Sequence, residues 1–242
     1  SIGGSLMSYS SQVVTVVAAT FTPLASNMEA VGHLEGLQKL LLRGTQGTLG
    51  IALPISVALT LRGKTFIGLW MGPQYSQISG TVLQILIISQ FFSVANSTAG
   101  SIMTAIDKHK PVAKWAVFEA VFNISLSIAL VKTIGLYGVA WGTSITMALC
   151  HLIFWPKYVR KVLGVSIRRY LWEGWTKMTL CAIPYAAVCA VADRYWHANN
   201  LLEFFGQIIV TLPLYAICVI LVFRGEARSL FQKWQASRLV RA

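Results

Sequence analysis

Five long stretches of this chain contain no Asp, Glu, Lys or Arg: residues 1–28, 44–61, 65–106, 133–156 and 204–223. An apolar run of about 20 residues matches a hydrocarbon core ~30 Å thick. Backbone polar groups placed in lipid must be satisfied within their own segment, which makes such runs helical. Only 12 % of the 242 residues are charged and 55 % are apolar or aromatic, where a soluble domain carries about 25 % charge. These charges are too few to cover a soluble globule. The pattern predicts an all-α, polytopic helical membrane protein with about seven transmembrane helices, at residues 2–25, 45–61, 79–106, 111–131, 136–155, 177–192 and 204–223. It argues against a soluble enzyme, a disordered tail, a disulfide scaffold and a nucleic-acid-binding domain.

The longest charge-free run, residues 65–106, has length for two crossings. Its first part, FIGLWMGPQY, is too short to cross and carries the turn signal Gly72-Pro73. Residues 66–75 are therefore read as an interfacial turn, with Trp70 and Tyr75 in the aromatic belt. Seven spans then divide the 20 Lys and Arg unequally. One side holds Lys39, Arg43, Lys108, Lys110, Lys114 and the basic residues of 157–177 and 224–241. The other holds Arg62, Lys64, Lys132 and Arg194. By the positive-inside rule the first side is cytoplasmic, so the chain ends inside. The net charge of +12 thus needs no nucleic-acid partner, since an anionic leaflet attracts basic loops. Residues 157–172 and 224–241 mix apolar and basic positions at helical spacing, which predicts two helices lying in the interface.

The chain opens Ser-Ile-Gly-Gly, without an initiator Met or a basic flank, and is expected to be a fragment of a longer protein. Cys150, Cys181, Cys189 and Cys218 fall in apolar runs without C-x-x-C spacing and read as small packing residues. His33, His109, His151 and His197 lack metal-ligand spacing, so no metal site or cofactor is expected.

Polar residues inside spans need a reason, because lipid does not solvate them. Trp115, Glu119, Asn123 and Ser127 recur every four residues and share one helix face. Lys114 lies near the cytoplasmic mouth of that helix, with Glu119 about 12 Å along it from Pro111. Such a stripe faces a water-filled cavity or a partner helix. It reads either as a substrate or proton site or as an interhelical hydrogen-bond clamp. Asn96, Ser97 and Thr98 form a second polar group midway through the third span. Gly135, Gly138, Gly142 and Ser144 would let two helices approach closely. Pro54, Pro184 and Pro213 should bend their spans.

The order of these features resembles a known family. The first span ends FTPLAS, a polar helical linker follows at residues 27–43, and then come Leu53-Pro54-Ile55 and FIGLWMGPQY. AIDKHKP, Asn123 and GLYGVAWGT complete the series. The set is similar to the C-terminal half of the polysaccharide biosynthesis (O-antigen flippase-like) family, within the multidrug/oligosaccharidyl-lipid/polysaccharide exporter superfamily. The resemblance covers about residues 1–175. It implies the C-terminal part of a two-lobe flippase fold, with residues 1–173 as a five-span bundle, residues 174–242 as two accessory spans with a basic tail, and an N-terminal lobe outside this chain. The basic residue that related flippases carry near the outer start of the first of these spans has no match here, since Gly4 and Ser5 are neutral.

The implied activity is transport, not enzymatic catalysis. A polyprenyl-(pyro)phosphate-linked oligosaccharide would be flipped from the cytoplasmic to the outer leaflet of the inner membrane by alternating access. The product would feed cell-envelope polysaccharide such as lipopolysaccharide O-antigen. The partners implied are the lipid-linked oligosaccharide, membrane lipids and a proton or Na+ gradient. Substrate-binding candidates are Arg43, Asn96, Lys114, Trp115, Glu119, Asn123 and Ser127. Arg43 and Lys114 would meet the phosphate at the cytoplasmic mouth. The alternatives are an ion-coupled multidrug exporter of the same fold and a membrane glycosyltransferase or polymerase. The latter normally needs a long polar loop with acidic residues, and residues 157–176 offer only Glu173.

Overall fold

The computed structural model describes residues 17–239, with side chains through residue 223. Among these residues the regular structure is helical throughout. Seven helices follow in order: α1, Phe21–Ala30; α2, Leu34–Met71; α3, Pro73–Ala105; α4, Lys110–Ile134; α5, Leu136–Leu163; α6, Ile167–Tyr195; and α7, Leu201–Leu239. Six of them, α2 to α7, are long and apolar enough to cross a membrane, α7 through its segment Leu201–Phe223. The span expected at residues 2–25 lies largely outside the described residues. The chain is a polytopic all-α membrane protein.

Breakers set the helix ends, and they correct three expectations. The polar linker at residues 27–43 is not one helix, because Gly32 takes a left-handed φ of 63° and separates α1 from α2. Residues 66–75 are not a turn. With no breaker before Gly72, α2 continues to Met71, and only Gly72 (φ 110°) reverses the chain into Pro73, the first residue of α3. Trp70 and Tyr75 are nevertheless exposed beside that reversal. Residues 157–172 are not one interfacial helix either: α5 runs on to Leu163, where left-handed Gly164 stops it. Ser166 then caps α6 by accepting from the Arg169 N–H, and Tyr170–Thr176 is a π-helical turn inside α6. The backbone of α7 is helical to Leu239, while the side chains of the expected tail helix lie outside the described residues.

At 38 residues α2 spans about 57 Å, nearly twice a hydrocarbon core. Its one non-helical residue is Arg62 (φ −115°, ψ 17°), where the helix kinks eight positions after Pro54. α2 and α3 pack antiparallel at the centre. Gly80 of α3 faces the Lys64 backbone, and a Cβ there would lie 2.7 Å from Lys64 Cα, so this close approach requires glycine. Two hairpins flank the pair. α4 and α5 rest on α3 through α5, and α6 and α7 rest on α2 mainly through α6. The largest core cluster lies where α2, α3, α5 and α6 meet, around Leu41, Leu49, Ala99, Ile102, Val159 and Tyr170. α4 packs on α5 and buries no residue fully.

Candidate functional site

A chain of four polar side chains crosses four helices. The Tyr170 hydroxyl, fully buried on the π-turn of α6, donates to Asn96 Oδ1 on α3 at 2.9 Å. Asn96 Nδ2 donates to the Phe92 carbonyl at 2.9 Å and lies 3.2 Å from His151 Nδ1 on α5. His151 Nδ1 is itself 3.1 Å from the Phe92 carbonyl. On the far side of the ring, His151 Nε2 stands 3.6 Å from Glu119 Oε1 on α4, with the two side chains 12 % and 18 % exposed. Each member depends on its helix register. Asn96 follows Phe92 by one turn and so reaches that carbonyl, and Tyr170 lies buried at the first position of the π-turn.

The rest of the stripe also points at α5. The Trp115 ring stacks on Phe154 at 4.9 Å with an 11° interplanar angle. Its Nε1 is buried without an acceptor. Asn123 Oδ1 accepts from Ser127 at 3.0 Å and from Thr143 of α5 at 3.4 Å. Ser127 packs on Gly142, where any Cβ would overlap its hydroxyl and sit 2.8 Å from its Cα. At Gly138 a Cβ would overlap the Leu130 carbonyl group. The stripe thus lies along the helix–helix contact, and the small residues of α5 make that contact possible.

The two cytoplasmic cations expected at one mouth occupy separate places. Arg43 is exposed on α2 beside a largely apolar groove of 590 Å³, lined with Gly47, Ile51, Met178, Tyr215 and Phe223 of α2, α6 and α7. Lys114 is exposed on the first turns of α4. The neighbouring pocket of 280 Å³ gathers Trp115, Phe154, Tyr158, Lys157 and Lys161.

The structure adds a group that the sequence reading missed. Arg62, counted there as a loop charge, is buried at the α2 kink with 2 % exposure. Its Nε lies 3.2 Å from Asp193 Oδ1 on α6, and its other end donates to Gln207 Oε1 on α7. Thr65 also donates to Asp193 at 2.9 Å, and the Phe204 ring lies 4.8 Å from the guanidinium carbon. Arg62 is therefore a structural charge held between helices. His151 and Tyr170 were missed too. The available signal for His151 was Glu119: a carboxylate inside one span calls for a cationic partner in a neighbouring one, and His151 is the ionisable side chain placed to supply it.

Apolar helices with ionisable groups held between them define a polytopic membrane protein whose polar chemistry lies inside the bundle. Two curated relatives place it further. The chain is 29 % identical over 161 residues to the uncharacterized membrane protein EpsK of Bacillus subtilis, covering 64 % of this chain and 31 % of that protein. It is 20 % identical over 200 residues to the probable low-salt glycan biosynthesis flippase Agl15 of Haloferax volcanii, covering 81 % of this chain and 41 % of that protein. The chain spans less than half the length of either relative. No family model and no solved structure matches it. The two relatives support the resemblance to the flippase-like polysaccharide family drawn from the sequence motifs.

Proposed function

We propose that this chain belongs to a transporter, not an enzyme, that moves a polyprenyl-(pyro)phosphate-linked oligosaccharide from the cytoplasmic to the outer leaflet of the inner membrane. The observation that carries this reading is the similarity to a relative named as a glycan biosynthesis flippase, over 81 % of the chain. The grooves fit the cargo. A polyprenyl phosphate has a long apolar tail and an anionic head, and the groove of α2, α6 and α7 has apolar walls with Arg43 beside it. An Arg fork grips phosphate oxygens in pairs, whereas Lys acts as a point charge. The pocket of Trp115, Tyr158, Lys157 and Lys161 offers aromatic faces and cations suited to sugar and phosphate, with Lys114 exposed nearby on the same helix as Trp115. Asn96, Glu119, Asn123 and Ser127 act in this reading by setting how α4 and α5 sit against α3. The basic loops face the cytoplasm. A single Cys at Asn199, in a cysteine-free background, reacts from outside intact cells, while one at Ser237 does not.

The test is outer-leaflet exposure of a lipid-linked oligosaccharide in vesicles containing the full-length protein. Arg43→Gln removes a charge-assisted contact worth about 1.5–3 kcal/mol, so flipping falls about tenfold or more. Combining it with Lys114→Gln lowers it further. Normal flipping in the double variant at equal expression would assign both residues to anchoring helix ends. No flipping by the wild-type protein would refute the reading.

A further inference from the structure

The geometry points to the Glu119–His151 pair as a proton-binding site that joins the α4–α5 hairpin to α3, with Asn96 and Tyr170 setting the tautomer of its imidazole. Its role in transport rests on the flippase reading, but the site itself does not.

The groups around the ring set what each of its nitrogens must do. A neutral imidazole has one donor and one acceptor, whereas the imidazolium has two donors. His151 faces an oxygen at each nitrogen: the Phe92 carbonyl at 3.1 Å from Nδ1 and Glu119 Oε1 at 3.6 Å from Nε2. Both oxygens are acceptors when Glu119 is ionised, and the doubly protonated ring presents an N–H to each. Remove one proton and a nitrogen lone pair is left facing an oxygen in a poorly solvated place, where unpaired polar groups are costly.

Asn96 makes that loss tolerable at one nitrogen. Tyr170 donates to Asn96 Oδ1, which fixes the amide so that Nδ2 faces the ring. Nδ2 now donates to the Phe92 carbonyl and lies 3.2 Å from Nδ1. When Nδ1 gives up its proton, Nδ2 can donate to the bare nitrogen, while Nε2–H still faces Glu119. One N–H bond at Nδ1 breaks, the proton leaves to water, and a neutral ring with its proton on Nε2 remains beside the carboxylate. Uptake reverses this and restores the charged pair. The other titratable groups beside the site are Tyr170, which reaches it through Asn96, and Cys150, next to His151 on α5 and close to Glu119.

The mechanical consequence lies in which helices are joined. Protonated, the ring ties α4, α5 and α3 together at once, through Glu119, its own backbone and Phe92. Deprotonated, it loses its positive charge, and the attraction holding α4 to α5 at this level weakens. The Nε2–Glu119 separation of 3.6 Å exceeds a direct hydrogen bond, leaving room for the contact to tighten or open.

The test reads the proton directly. Full-length protein carrying ¹⁵N-labelled histidine is placed in lipid nanodiscs, and the His151 signal is isolated by difference from His151→Gln. Between about pH 8 and about pH 5 it should pass from a single neutral tautomer, protonated at Nε2, to the doubly protonated form. In Glu119→Gln the doubly protonated form should decline several-fold at the acidic end. Tyr170→Phe keeps the ring but frees the Asn96 amide, and should give a mixture of both neutral tautomers at the alkaline end. A ring that stays neutral throughout in the wild-type protein would overturn the proposal, as would titration unaffected by Glu119→Gln. If that variant does not fold, an unchanged tautomer in Tyr170→Phe decides against it. A silent imidazole leaves the flipping reading standing, and failed flipping leaves the proton site standing.

Discussion

The two hairpins that flank α2 and α3 are fastened in different ways. α6–α7 is joined to α2 by a buried Arg62 with the Asp193 carboxylate, the Gln207 carbonyl and the Phe204 ring around it. Arg stays charged under all ordinary conditions, so this joint has a single electrostatic state. α4–α5 is joined to α3 by His151, which carries charge only when its ring is doubly protonated, with a carboxylate on one side and an amide on the other. From the Gly72 reversal, Arg62 lies about 15 Å along α2 and Asn96 about 35 Å along α3, so the joints sit roughly 20 Å apart in depth. The lesson is that a permanent charge suits a brace and a titratable one suits a joint that must move.

Breaking the brace should produce the largest effect on folding. Asp193→Asn leaves a buried guanidinium without its anion, and such losses cost about 3–5 kcal/mol. A clear drop in unfolding temperature of the full-length protein in detergent would show it. Gly142→Ala comes next, because a Cβ there meets the Ser127 backbone, and overpacking of this kind costs about 1–3 kcal/mol. Its signature is loss of stability that Ser127→Gly partly restores, since the hydroxyl then no longer obstructs the new methyl. Glu119→Gln should cost little stability, about 1 kcal/mol or less, since the 3.6 Å contact with His151 is longer than a hydrogen bond and an intramembrane charge is removed. A loss as large as that of Asp193→Asn would make the second joint a brace as well. Smallest of all is Thr143→Ala, which deletes one interhelical hydrogen bond worth about 0.6 kcal/mol in membrane proteins.

Much of this bundle could be read from the sequence, for reasons that differ by element. The spans of α2, α3, α5 and α7 were legible because lipid demands long charge-free runs, and Gly72-Pro73 was legible because no other pair so plainly reverses a helix. Close approach of some helix to α5 followed from Gly138 and Gly142, and the structure shows that helix to be α4. The extent of α2 did not: residues 66–71 lack polar turn partners of their own and simply prolong the helix until Gly72. Arg62 looked like a loop charge because its partners, Asp193 and Gln207, are more than a hundred residues away, and burial of an Arg is decided by those partners. The stripe of Glu119, Asn123 and Ser127 was visible by spacing alone, but the helix it faces was not. Tyr170 became part of the site through a partner 74 residues away, Asn96, which no local signal announced.

The contrast between a fixed and a titratable joint can be measured in one experiment. Spin labels on the exposed positions Ile55 of α2 and Ile124 of α4 report on the first hairpin, and labels on Ile55 and Ile209 of α7 report on the second. Distance distributions are recorded for the full-length protein in lipid at about pH 8 and about pH 5. The account predicts a change between Ile55 and Ile124 that disappears in His151→Gln, with the distribution between Ile55 and Ile209 unaltered. Equal movement of both pairs, or a change between Ile55 and Ile124 that survives His151→Gln, would contradict it.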